Sequence, residues 1–101
     1  MTTPVRLLIH GASGRMGQAL LRLCQEQEGC QVVAAVSTRV QQRVVDGVPW
    51  FRAAELGNVP DFDVAVDFSL PAAFDAILGL CRKRDRPLVS GTTGLSGAPR
   101  D

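Results

Sequence analysis

Three glycines at intervals of three, Gly11, Gly14 and Gly17, follow the apolar run Val5-Arg6-Leu7-Leu8-Ile9-His10. With Ala12, Ser13, Arg15 and Met16 between them they spell G-A-S-G-R-M-G. The chemistry open to such a segment is anion binding. Residues without a Cβ let backbone N–H groups close on a pyrophosphate, and a helix N-terminus adds unpaired donors and the positive end of its dipole. Ser13 adds a hydroxyl that either meets a phosphate or caps the helix. The spacing is G-x-x-G-x-x-G, whereas the usual dinucleotide fingerprint is G-x-G-x-x-G. On this segment alone, a glycine-rich turn without a ligand competes with a dinucleotide site.

Three further polar tips end apolar runs: Ser37-Thr38-Arg39, Asp67-Phe68-Ser69 and Gly91-Thr92-Thr93-Gly94. NAD sites commonly place a carboxylate about 20 residues beyond the glycines to hold the ribose diol. Here that region holds Ser37, Thr38 and Arg39 and no acid. A 2′-phosphate would meet no repulsion, Arg39 could pair with it, Ser37 and Thr38 could donate hydrogen bonds, and Arg15 could assist from the glycine loop. NADPH is therefore expected over NADH. Each residue also has a plain structural role open to it: Arg39 as a solvated loop residue, Phe68 as core, Asp67 as a turn former, Thr92 and Thr93 as satisfiers of backbone groups. His10 is the only histidine and Lys83 the only lysine. His10 is read as packing or hydrogen bonding locally, Lys83 as solvated. No carboxylate pair, nucleophile–base motif or metal-ligand cluster stands out, so neither catalytic nor metal-binding residues are assigned.

The elements that must position these tips alternate. Strands are expected at Arg6–His10, Gln31–Val36, Val48–Phe51, Asp63–Phe68 and Pro87–Ser90, the third pushed toward a sheet edge by Pro49. A helix is expected over Arg15–Gln27, ended by Gly29, with Met16, Ala19, Leu20, Leu23 and Cys24 facing inward. A second runs from Pro71 to about Arg84 with Phe74, Ile77, Leu78 and Cys81 inward. Residues 53–56 suit one helical turn, and the polar stretch Arg39–Gly47 is left unassigned. The pattern implies an α/β fold, a doubly wound parallel sheet of Rossmann-like type with strand order 3-2-1-4-5. Ligands in such sheets bind beyond the carboxyl ends of the strands at the switch point, here between the first and fourth strands. The tips GASGRMG, Asp67-Phe68-Ser69 and GTTG converge on that edge, which favours the dinucleotide reading. Residues 1–94 are read as one domain and residues 95–101 as a polar, flexible tail. The last strand lacks helical cover, so the chain is read as the front part of a larger protein, truncated before a second domain.

Composition excludes other classes. The 101 residues are 46% apolar with a net charge of +1, and the 11 basic residues are dispersed. With four Phe, one Trp and no Tyr, no aromatic-basic face suggests nucleic acid. No apolar run approaches the roughly 20 residues that span a bilayer, and the N-terminus lacks the charged and apolar regions of a secretory signal. Cys24, Cys30 and Cys81 are odd in number without C-x-x-C spacing, which argues against disulfides and zinc. Cys24 and Cys81 are read as core residues, and a cytoplasmic location fits.

Taken together, Gly11-Ala12-Ser13-Gly14-Arg15-Met16-Gly17, Asp67-Phe68-Ser69 and Gly91-Thr92-Thr93-Gly94 resemble the motifs of the dihydrodipicolinate reductase family, in order and separation, over nearly the whole chain. Those pyridine-nucleotide enzymes serve the diaminopimelate and lysine pathway. The resemblance implies that Gly11, Arg15 and Met16 lie along a pyrophosphate. It implies that Phe68 and Ser69 border the nicotinamide ribose, that Gly91 and Thr93 meet the nicotinamide end, and that Thr93 also reaches substrate. Ser37 stands where that family often has an acid. The family's catalytic histidine and lysine belong to an H-H-x-x-K-containing motif of a second domain, which also forms most of the tetramer contacts. This chain has no such motif, so the resemblance implies cofactor binding without turnover, the small cyclic dicarboxylate being bound only with the second domain. A CoA- or nucleotide-binding module, the cofactor domain of another nicotinamide enzyme such as a homoserine or semialdehyde dehydrogenase, and an NADP sensor without chemistry remain as alternatives.

Overall fold

The computed structural model describes residues 4–69 and 71–90. Gly91, Thr93 and the tail 95–101 lie outside them. The apolar runs become strands β1 (Val5–His10), β2 (Cys30–Ser37), β4 (Val48–Arg52), β5 (Val64–Asp67) and β6 (Leu88–Ser90). Between them lie helix α1 (Arg15–Glu26), the two-residue strand β3 (Val44–Val45), a 3-10 helix (Ala53–Asn58) and helix α2 (Pro71–Arg84). The sheet order is β3-β4-β2-β1-β5-β6, parallel except for the β3–β4 hairpin. Without β3 this is the expected order 3-2-1-4-5, and the fold is the expected Rossmann-like α/β sheet.

Two cores flank the sheet. Leu21 and Cys24 of α1 pack with Ile9, Val32 and Ala35 on one face. On the other, Ile77, Leu80 and Cys81 of α2 and Leu56 of the 3-10 helix pack with Leu8, Ala34, Val36, Phe62 and Ala65. The register between β1 and β2 shifts after Leu7, so that Val33 is an extra residue in β2. This bulge explains why Val32 and Ala35, three apart, share a face. At the amino ends of the strands, Arg6 grips Asp63 with Nη2 at 3.1 Å from Oδ1 and its own amide 2.8 Å from Oδ2. The guanidinium hydrogen bond holds the Asp63 carboxyl below its ordinary range.

The structure corrects the expected packing of α1. Met16 and Leu23 are 55% and 51% exposed, and the buried seam is Gly17, Leu21 and Cys24 with Leu20 beside it. The cause is Gly17: a Cβ there would lie 2.6 Å from Gly11 O and 2.7 Å from Ala12 Cα. The helix therefore rests its glycine on the preceding turn and rolls Met16 outward. Gly29 is not its cap, since α1 ends at Gln27, in extended conformation, whose N–H bonds to Cys24 O. Gly29 O instead accepts from the Val5 amide. On α2, Ile77, Leu80 and Cys81 are buried and Phe74 only partly so. Pro49 is not on the edge strand. It precedes Trp50, where the register with β2 begins, and β3 lies outside it. The stretch left unassigned makes that hairpin through Asp46 (φ 53) and Gly47 (φ 82). No helix of the described residues is long and apolar enough to cross a membrane.

Candidate functional site

Parallel strands deliver β1, β2 and β5 to one edge of the sheet, and the turns that follow them touch. Gly11 leaves β1 with φ +80, and both its amide and that of Ala12 donate to Val36 O of β2, at 2.9 and 3.0 Å. A Cβ on Gly11 would lie 2.6 Å from the Ser69 amide nitrogen and 2.7 Å from the Phe68 carbonyl carbon. The glycine turn therefore lies directly against the segment that follows β5. The Phe68 amide donates to His10 O at 2.8 Å. Phe68 itself is half-buried and packs on the α1 side, so it is both core and rim.

Gly14 differs from its two neighbours. A Cβ there would meet only Gly11 O, at 3.5 Å, an ordinary contact. The fold does not demand glycine at this position. Gly14 is the N-cap of α1 and carries no side-chain cap. Gln18 is the first residue to bond back, to Gly14 O at 2.9 Å. The amides of Arg15, Met16 and Gly17 thus have no helical acceptor. Arg15 is exposed, and the first turn of α1 holds no acidic residue. An anion at this turn would meet unpaired donors, the helix dipole and a guanidinium.

The tip of β2 is tied to the same loop. The Ser37 hydroxyl donates to Ser13 Oγ at 2.8 Å and accepts from the Arg39 amide at 3.3 Å. Ser37 is only 4% exposed, so its hydroxyl faces the loop and not solvent. Ser13 serves this bridge and not the helix cap. Beyond it opens a cavity of about 520 Å³ between α1 and the β3–β4 hairpin. Ser13, Thr38 and Arg39 form part of its wall, with Leu21, Val48 and Trp50 supplying apolar surface. Its size is that of a small-ligand site. Arg15 and Met16 lie on the helix start and not on this cavity.

Beneath the edge, His10 and Asp67 pair at 2.8 Å between Nδ1 and Oδ1, and they are 2% and 0% exposed. The same carboxylate oxygen accepts from the Ser69 amide at 3.1 Å and from Ser69 Oγ at 2.5 Å. His10 thus has the local hydrogen-bonding role expected of it, and Asp67 does form the turn. Their pairing was not read from the sequence, although each ends a strand and the expected strand order makes those strands neighbours. Trp50 and the glutamines of the cavity wall, Gln18, Gln25, Gln41 and Gln42, were missed as well, because that wall is assembled from elements distant in sequence. No group of three or more potential metal ligands occurs among the described residues.

Comparison with known proteins agrees with this geometry. The family described as dihydrodipicolinate reductase, N-terminus, matches residues 5–101. The 4-hydroxy-tetrahydrodipicolinate reductase of Xanthomonas campestris pv. campestris (strain B100) is 64% identical over 100 residues. That match covers 98% of this chain and 42% of the relative. The enzyme of the same name from Stenotrophomonas maltophilia (strain R551-3) is 65% identical over 100 residues, again 42% of its length. Among solved structures, a dipicolinate-bound dihydrodipicolinate reductase from Paenisporosarcina sp. TG-14 superposes with a TM-score of 0.72. It is 23% identical and covers 91% of this chain and 38% of that one, a likeness of fold. The chain thus spans about two fifths of the curated relatives it matches. With a family match over residues 5–101 and the fold to go with it, the chain belongs to the dihydrodipicolinate reductase family, as its N-terminal part.

Proposed function

We propose that this chain is the cofactor domain of a 4-hydroxy-tetrahydrodipicolinate reductase, binding a nicotinamide dinucleotide across the carboxyl edge of its sheet and preferring NADPH to NADH. The observation that carries the reading is the meeting of the Gly11–Gly17 loop, the Asp67–Ser69 turn and the Ser37–Arg39 tip on one edge, in a chain matched to the family over residues 5–101. Gly14 leaves the helix start bare, and the amides of Arg15, Met16 and Gly17 are placed to hold a pyrophosphate. The cavity beside Ser13, Thr38 and Arg39 takes the adenosine end, with Arg39 and Thr38 meeting a 2′-phosphate. Ser37 contributes by fixing Ser13 and the Arg39 backbone. Phe68 and Ser69 border the nicotinamide ribose. By family resemblance Gly91 and Thr93 meet the nicotinamide, and Thr93 the substrate.

Bound NADPH would supply the hydride. This chain fixes where that hydride is presented; the proton donor and the contacts to a cyclic unsaturated dicarboxylate belong to the remainder of a homotetrameric protein. Parallel calorimetric titrations with NADPH, NADH and CoA test the reading. Tighter binding of NADPH than NADH, with no heat from CoA, is expected. Tighter NADH binding overturns the cofactor preference, and binding of CoA alone overturns the reductase assignment in favour of a nucleotide-binding module.

A further inference from the structure

The one histidine of the chain is spent on a buried hydrogen bond, and its position suggests a purpose. His10 and Asp67 are the last residues of β1 and β5 and stand opposite each other in register. Immediately after His10 comes Gly11, and two residues after Asp67 comes Ser69, whose amide nitrogen lies 2.6 Å from where a Gly11 side chain would begin. The two turns that border the ligand edge are therefore rooted in one side-chain pair.

The chemistry of that pair is constrained. Asp67 Oδ1 accepts from the backbone amide of Ser69, which can only donate, and an ionised carboxylate at Asp67 has no hydrogen of its own to give. The proton on the 2.8 Å contact must then sit on His10 Nδ1. His10 Nδ1–H, Ser69 N–H and Ser69 O–H converge on a single oxygen of a fully buried carboxylate. Removing a donor from a buried carboxylate is costly, and Ser69, bound to the same oxygen, moves with any shift of Asp67.

We propose that His10 is a positioning residue for the nicotinamide end of the cofactor. Through Asp67 it holds the Ser69 backbone and hydroxyl against Gly11, and so sets the separation between the pyrophosphate turn and the turn that borders the nicotinamide ribose. This rests on the cofactor reading above. It assigns His10 no contact with cofactor or substrate.

The test compares His10→Leu, His10→Asn and His10→Gln in the purified protein, with two probes. NADPH reaches both turns; adenosine 2′,5′-bisphosphate lacks the nicotinamide ribose. An asparagine amide nitrogen falls near the place of Nδ1, and a glutamine amide nitrogen near that of Nε2. His10→Leu and His10→Gln should weaken NADPH about tenfold, the worth of one hydrogen bond to a buried charge, and leave adenosine 2′,5′-bisphosphate within about threefold of wild type. His10→Asn should recover most of the NADPH affinity. Equal losses for both probes would mean a general effect on the fold and overturn the proposal, as would unchanged NADPH binding in His10→Leu or failure of His10→Asn to recover it. Circular dichroism on each variant identifies any that does not fold, and for such a variant the asparagine–glutamine contrast decides. If the wild-type protein binds CoA and not NADPH, it is the cofactor reading that has failed.

Discussion

A Cβ added to Gly17 would lie within 2.9 Å of three backbone atoms of Gly11 and Ala12, whereas one added to Gly14 would meet a single carbonyl oxygen at 3.5 Å. The two glycines of one motif thus differ: helix packing demands the one, no packing contact demands the other, and the proposed cofactor site would account for it. Gly17→Ala must push α1 off the turn beneath it, and we expect a loss of about 1–3 kcal/mol, as for other overpacked sites, read by urea denaturation. Gly14→Ala should keep the wild-type melting temperature yet weaken NADPH by about tenfold or more, because the new methyl group occupies the approach to the first-turn amides. A variant that melts early without losing affinity would contradict this division. Gly11 answers to a further demand: its φ of +80 and the closeness of Ser69 leave no room for a side chain.

At the scale of elements, an exposed ion pair braces the hairpin that walls the cavity. Arg43 contacts Glu55 at 2.6 and 3.2 Å, Glu55 also accepts from the Arg52 amide at 2.9 Å, and the Trp50 amide donates to Arg43 O at 2.7 Å. The Arg43 hydrogen bond, then the Arg52 amide, hold the Glu55 carboxyl down at about 2, against 4.5 without such partners. A depressed carboxylate stabilises fully above its unfolded value and ceases to do so as pH falls through its folded one. The hairpin should therefore loosen between about pH 4.5 and pH 2, and Trp50, the only tryptophan, should report it by fluorescence. Glu55→Gln should show the loosened signal already at pH 7, and a profile identical in wild type and variant would refute the link. Where α1 hands over to β2, burial first and then Cys30 push the Cys24 thiol up to about 12, and burial likewise raises Cys81. An aromatic disulfide reagent at pH 8 should label half-buried Cys30 first, and Cys24 and Cys81 only as the protein unfolds. Equal rates at all three would count against the packing described.

Across the whole molecule, Phe62 joins what the chain order separates. It is fully buried just before β5, shares a core with residues of β1, β2, the 3-10 helix and α2, and carries Arg84 of α2 5.7 Å from its ring centre. Arg84 also donates to Pro60 O and Gly57 O, at 3.1 and 3.2 Å. Phe62→Ala should cost about 3–5 kcal/mol, typical of an emptied aromatic site, and should lower the denaturation midpoint without a second transition. A loss below about 1 kcal/mol would show that the site collapses around the gap. On the opposite face, β5 and β6 have no helix above them among the described residues, and Val89 is 54% exposed.

Much of this arrangement was legible in the residues. Leu7, Leu8 and Ile9 in succession read as a strand buried on both faces, Pro71 suits the first position of α2, and alternation of strands with helices points to a parallel sheet with turns gathered at one edge. What was not legible has physical causes. The inward face of α1 was misjudged because a hydrophobic stripe gives glycine no weight, yet Gly17 is where the helix comes closest to the chain. Strand β3 was missed because two exposed valines have no period, although Asp46-Gly47 signals a hairpin turn. The sequence by itself determined the fold class, the strand order and which turns gather at one edge of the sheet, because these follow from local pattern and chain handedness. Only the tertiary structure decided that Ser37 turns its hydroxyl onto Ser13, that the hairpin and α1 flank a cavity, and that His10 and Asp67 form a buried hydrogen bond. Each of these is a contact between residues far apart in the chain, set by packing that no local pattern encodes.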